Sequence, residues 1–123
     1  MKKDILVVDD DIDILKSIKN VCEHEGFTVT TAANGYECID KIAKGFRGII
    51  LIDIMMPYMD GWQTIKNLVN NGLAENIAII IMTAIGTADH KKMKGLEPYI
   101  YDYIAKPFNI HDLLRTIEKA QAQ

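Results

Sequence analysis

The run Ile49-Ile50-Leu51-Ile52 ends in one carboxylate, Asp53, and is followed by Pro57 and then Asp60-Gly61. Four large aliphatic residues without a polar break leave no face for water, so the run reads as a strand covered on both sides. Pro57 and Asp60-Gly61 close it in a loop. A strand buried on both faces needs a layer above and below it, as α/β architectures provide. In a parallel sheet of that kind, binding and chemistry gather at the carboxyl edge of the strands. Asp53 stands on that edge.

The rest of the chain supplies the layers. Ile5-Leu6-Val7-Val8, between Asp4 and Asp9, predicts a short buried strand, and Ile14, Leu15, Ile18, Val21 and Cys22 then recur at helical spacing until Gly26. Phe27 to Thr31 predicts a half-polar strand near an edge. A second helix follows Asn34-Gly35 and ends at Gly45, with Cys38, Ile39 and Ile42 inward. Trp62, Ile65, Leu68 and Val69 mark a third helix ending near Asn71-Gly72. Ile77 to Met82 is another continuous apolar strand, with Thr83 at its end. Between Gly86 and Gly95 the helical pattern is thin, resting on Ala88, Met93 and Leu96, so a fourth helix there is expected to be the least stable. Tyr99 to Ala105 predicts a fifth strand, closed by Lys106-Pro107. Asn109 caps a last helix through Leu113, Leu114 and Ile117, with Asp112 at the capping-box position. Strands alternating with helices imply right-handed crossovers and a doubly wound parallel sheet. The expectation is one domain over residues 1–123.

Composition excludes several classes. At 123 residues, 49% hydrophobic and 25% charged, the chain can hold a core without disulfides or structural metal. A net charge of −3 argues against nucleic acid as a direct partner. No apolar run approaches the roughly 20 residues needed to span a bilayer, and Met1-Lys2-Lys3 leads into a strand rather than a signal segment, so a cytoplasmic location is expected. Cys22 and Cys38 have no CxxC spacing and fall in helical patterns, as buried reduced thiols do.

The parallel sheet brings Asp9 and Asp10, Asp53, Thr83 and Lys106 to one edge. Carboxylates about 4 Å apart repel by roughly 4 kcal/mol per pair at an effective dielectric of about 20, and a divalent cation resolves that conflict. All-oxygen ligands favour Mg²⁺, or Mn²⁺, over zinc. Mg²⁺, an ammonium and a hydroxyl together suit a phosphoryl group, and Asp53 is then the central nucleophile, giving an aspartyl-phosphate. Asp11 and Asp13 are left as first-turn carboxylates of the first helix.

Val7-Val8-Asp9-Asp10, Asp53 with Met56-Pro57 and Asp60-Gly61, Thr83-Ala84 and Tyr103-Ile104-Ala105-Lys106-Pro107-Phe108 resemble the receiver domain of two-component response regulators, in register over essentially the whole chain. The resemblance implies a flavodoxin-like five-stranded sheet in the order 2-1-3-4-5 with five helices. It implies that Asp53 accepts a phosphoryl group from a phosphohistidine on a sensor histidine kinase or a histidine phosphotransfer protein. Asp10, Asp53 and the Met55 carbonyl would ligate Mg²⁺ directly, and Asp9 through water. Lys106 would pair with the phosphoryl oxygens, Thr83 would move toward them, Tyr103 would swing inward, and Lys106-Pro107 would be cis. The fourth helix, fifth strand and last helix would form the surface that controls a downstream protein, with a phosphorylation-dependent homodimer as one outcome. The chain would catalyse its own phosphoryl transfer and a slow autodephosphorylation.

Two departures follow. Gly95-Leu96-Glu97-Pro98-Tyr99-Ile100-Tyr101-Asp102 replaces the Gly-Ala pair common before the fifth strand, and the span from Thr83 to Tyr103 is longer by a residue than the family pattern. By the resemblance, Met55 and Ile85 lie where family members tune the approach of the hydrolytic water, and as both are apolar here a long-lived phosphoryl group is expected.

The alternatives are a Mg²⁺-dependent phosphohydrolase with Asp9 as nucleophile and Asp11 as its partner, and a flavodoxin-like binding module. A calcium loop over Asp9-x-Asp11-x-Asp13 is discounted, since Ile14 and Asn20 occupy the positions of its Gly and Glu. The sequence stops soon after the last helix at Ala120-Gln121-Ala122-Gln123, so output is expected by docking another protein, unless the chain is an excised receiver.

Overall fold

A computed structural model describes residues 2–84 and 94–123. The strands are β1 (Asp4–Val8), β2 (Val29–Ala32), β3 (Gly48–Asp53), β4 (Ile77–Ala84) and β5 (Ile100–Lys106). Among the described residues the helices are α1 (Ile12–His24), α2 (Gly35–Ala43), α3 (Gly61–Asn70) and α4 (Ile110–Gln121), with a 3-10 turn at Glu97–Tyr99. The sheet is parallel throughout and runs β2-β1-β3-β4-β5, the expected order. The fourth helix expected between Gly86 and Gly95 falls mostly outside the described residues. No helix among the described residues is long and apolar enough to cross a membrane.

The period-2 geometry of the strands divides the core in two. Ile5, Val7, Ile49, Leu51, Ile80 and Met82 face Leu15, Ile18 and Cys22 of α1 and Leu113, Ile117 and Ala120 of α4. Leu6, Val8, Ile50, Ile52, Ile79 and Ile81 face Cys38 and Ile42 of α2 and Ile65 and Leu68 of α3. The central strands carry large aliphatic residues at every position because each face has its own helical layer. Both cysteines are free and buried; burial pushes the thiol of Cys22 up to about 11, helped by Glu25, and that of Cys38 to about 12. Both stay protonated and inert at neutral pH, as expected of core thiols.

Helix ends follow local chemistry. Asp11 caps α1, its side chain accepting from the N–H groups of Asp13 and Ile14. Asn34 caps α2, and Asn109 caps α4 through the N–H of Asp112, which is one half of the expected box. The complete capping box lies at α3, where Asp60 accepts from the N–H of Gln63 at 2.8 Å and the Gln63 side chain accepts from the N–H of Asp60 at 2.9 Å.

One feature was not expected. Between Ile79 and Ile80 the β4–β5 register shifts, so that Ile100 pairs with Ile79, Asp102 pairs with Ile80, and Tyr101 is left without a partner in β4. This bulge absorbs the extra residue in the span from Thr83 to Tyr103. It also starts β5 at Ile100, one residue later than expected, after the 3-10 turn that holds Tyr99.

The strand edges meet closely at Gly48. Its φ is +142°, and a Cβ there would lie 2.2 Å from the Asp4 carbonyl oxygen on β1. Both the backbone angle and the contact are available only to glycine. Gly48→Ala is expected to lower the unfolding free energy by on the order of 2 kcal/mol in urea titrations; an unchanged midpoint would contradict this packing.

Candidate functional site

The site lies where the apolar strands run out. β1 ends at Val8, and the backbone N–H of Asp9 still donates to Ala32 of β2 at 3.1 Å, which extends the ladder to Asp9. β3 ends at Asp53, level with Met82 of β4. At the end of β5, Lys106 lies level with Ala84. Val8 pairs with Ile52, so parallel register sets Asp9 level with Asp53, and Lys106, two residues beyond the Ile104–Met82 pair, extends past the same edge.

Asp9 is 1% exposed and Asp53 5%. The Lys106 ammonium lies 2.7 Å from Asp9 Oδ2 and 3.4 Å from Asp53 Oδ1. The other Asp9 oxygen accepts the N–H of Asp11 at 2.9 Å, and Asp53 Oδ1 accepts that of Met55 at 3.3 Å. Asp10 is exposed, and one carboxylate oxygen each from Asp9, Asp10 and Asp53 lie within 4.8 Å of one another. Among the described residues, three carboxylates face one ammonium, which leaves an excess of negative charge.

The electrostatics record that excess. Burial first, and the Asp9 carboxylate second, push the Asp53 carboxyl above its ordinary range, against Lys106 and the Met55 N–H. For Lys106, burial alone would lower the pKa, but the hydrogen bonds and charges of Asp9 and Asp53 outweigh it and the net shift is upward. Lys106 is therefore held as a cation, while Asp53 is under-compensated. Clustered hard oxygen donors with residual negative charge fit a small divalent cation such as Mg²⁺.

The loop after β3 fixes Asp53 from behind. The N–H of Gly61 donates to the Ile54 carbonyl at 2.9 Å, and a Cβ on Gly61 would lie 2.6 Å from the Asp53 carbonyl oxygen. The start of α3 thus presses against the strand end, which explains glycine after Asp60.

Thr83 is half-buried near the end of β4, and its hydroxyl donates to the Ala84 carbonyl at 3.3 Å. Tyr103 is 40% exposed and registers with Ile81. Since Ile81 and Thr83 are two apart on β4, Tyr103 and Thr83 share a face of the sheet. Lys106-Pro107 is cis. The Met55 side chain is 66% exposed beside Asp53, whereas Ile85 lies outside the described residues. Phe108, absent from the sequence-based core, packs against the α1/α4 side; an apolar residue just beyond a strand-ending proline was the available signal.

Comparisons with known proteins agree with this fold. Residues 5–118 match the family described as response regulator receiver domain. A transcriptional regulatory protein of Haemophilus influenzae, a CpxR homologue, is 35% identical over 93% of this chain and 48% of its own length. The chain spans about half the length of the curated relatives it matches. A CheY-like receiver domain protein from Methanospirillum hungatei superposes with a TM-score of 0.90 at 42% identity, covering 100% of both chains. The response regulator TrrA of Thermotoga maritima, solved in complex with Mg²⁺ and BeF, superposes with a TM-score of 0.78 at 28% identity over 96% of this chain and 98% of that one. The chain belongs to the receiver domains of two-component response regulators.

Proposed function

We propose that residues 1–123 act as one receiver domain that accepts a phosphoryl group on Asp53 from a phosphohistidine donor, either a sensor histidine kinase or a histidine phosphotransfer protein. The observation that carries this is the Lys106 ammonium set between two buried carboxylates, at 2.7 Å from Asp9 and 3.4 Å from Asp53. An oxygen of Asp53 attacks phosphorus, the donor's N–P bond breaks, and the imidazole leaves. Lys106 is then placed to pair with the oxygens of the new acyl phosphate. Asp9, Asp10, Asp53 and the Met55 carbonyl would hold Mg²⁺, with Mn²⁺ as a substitute, and the ion supplies charge neutralisation for the incoming phosphoryl oxygens. Thr83 and Tyr103, on one face of β4 and β5, read the modified state and pass it to the surface of β5 and α4 that engages a downstream protein or a second copy of the chain. The expected setting is the cytoplasm, without direct contact to nucleic acid or membrane.

Treatment with acetyl phosphate and Mg²⁺ is expected to add one phosphoryl group, mapped to Asp53 and lost in Asp53→Asn and in EDTA. Modification at Asp9 instead would contradict the assignment, since Asp9 is the nucleophile of the phosphohydrolase alternative.

The raised Asp53 pKa has a defined consequence for stability in metal-free protein. A carboxyl that holds its proton more tightly folded than unfolded loses stability as pH rises from its unfolded value of about 3.9 through its raised folded value. Asp53→Asn, which mimics the neutral carboxyl, is therefore expected to be more stable than wild type at pH 7 in EDTA, with the gap closing as pH falls through the raised pKa. Urea midpoints across that range check this; a variant less stable at pH 7 contradicts it.

Met55 has no group that can orient an attacking water, which supports a long-lived phosphoryl group. Met55→Asn is expected to speed loss of the label by on the order of tenfold, followed by intact-protein mass after removal of the donor. Rapid loss from wild type, no faster in the variant, would refute this.

A further inference from the structure

In a regular strand, residues four apart point to the same face. Ile100 and Ile104 of β5 do not. Ile100 packs on the α2/α3 side of the sheet, while Ile104 is buried on the α1/α4 side. The parity changes at Tyr101, which has no partner in β4 and is 36% exposed. Below the bulge, Ile100 follows the 3-10 turn, in which Tyr99 donates to the carbonyl of the buried Leu96 at 2.9 Å. Above it, Tyr103 to Lys106 stay in register with Ile81 to Ala84. Asp102 adds to the irregularity by accepting the N–H of Tyr103 on its own carboxylate at 2.7 Å.

We infer that Tyr101 is a positioning residue, a built-in hinge that separates the half of β5 carrying Tyr103 and Lys106 from the half anchored by Ile100. A bulged residue makes no ladder contact with its neighbour, so backbone adjustment is least resisted there. Tyr103 lies two residues beyond it and can reorient without drawing Ile100 from its core. Removing Tyr101 would leave Ile100 opposite Ile79 and Asp102 opposite Ile80, a continuous ladder in which the two halves move as one.

The inference rests on the phosphorylation reading above, and the test separates the two. Mg²⁺ with beryllofluoride is titrated into wild-type protein and into a Tyr101 deletion, followed by amide resonances of residues 100–106. In wild type the Tyr103 amide is expected to shift while that of Ile100 stays fixed. In the deletion variant the two amides are expected to shift together, and apparent beryllofluoride affinity to fall by about threefold or more with Mg²⁺ affinity unchanged. Joint movement of Ile100 and Tyr103 in wild type, or an unaltered affinity in the folded variant, would overturn the hinge alone. Should the deletion not fold, the wild-type amides decide. Absence of any wild-type response overturns the phosphorylation reading and the hinge with it.

Discussion

The Lys106 ammonium between Asp9 and Asp53 is the contact on which the site depends. Two nearly inaccessible carboxylates at neighbouring strand ends repel each other, and burial strengthens the repulsion. One lysine at 2.7 and 3.4 Å offsets part of it. The remainder is visible as a raised Asp53 pKa and as the exposed Asp10 standing close to both. The arrangement leaves the buried carboxylates only partly compensated. The proposed receiver function draws on this charge imbalance among the described residues.

That imbalance is held in place by the sheet. Asp9 and Asp53 follow β1 and β3, whose apolar residues are gripped between two helical layers, so these two carboxylates have little freedom to drift apart. The close approach of Gly61 to the Asp53 carbonyl and the capping box at Asp60 and Gln63 pin the following loop. Rigidity on the Asp53 side contrasts with β5, an edge strand interrupted at Tyr101. Asp53 stands on the clamped side, and the strand that carries Tyr103 and Lys106 holds the irregularity.

Much of this was legible in the sequence, for a physical reason. Asp53, Thr83 and Lys106 follow apolar runs, and parallel register converts strand ends into neighbours without further information. Asp13 stands in the first turn of α1 as read, whereas Asp11, read the same way, lies one step earlier as the N-cap. The bulge was not legible. Ile100 and Ile104 have the spacing of residues on one face, and only pairing with Ile79 and Met82 on β4 reveals that they lie on opposite faces. The extra length before Tyr103 signalled an irregularity without locating it. The box at Asp60 and Gln63 had its Asp-x-x-Gln signature in plain view, but Asp60 was absorbed into the turn with Gly61. The relative placement of Lys106, nearer Asp9 than Asp53, is a side-chain matter that no spacing encodes.

The most direct test of the charge imbalance is carbon-detected NMR titration of the Asp53 carboxyl in metal-free protein and again with saturating Mg²⁺. The carboxyl is expected to titrate above the ordinary aspartate value of about 3.9 without the ion and to fall when Mg²⁺ binds. Titration at or below the ordinary value in metal-free protein, unchanged by Mg²⁺, would contradict it.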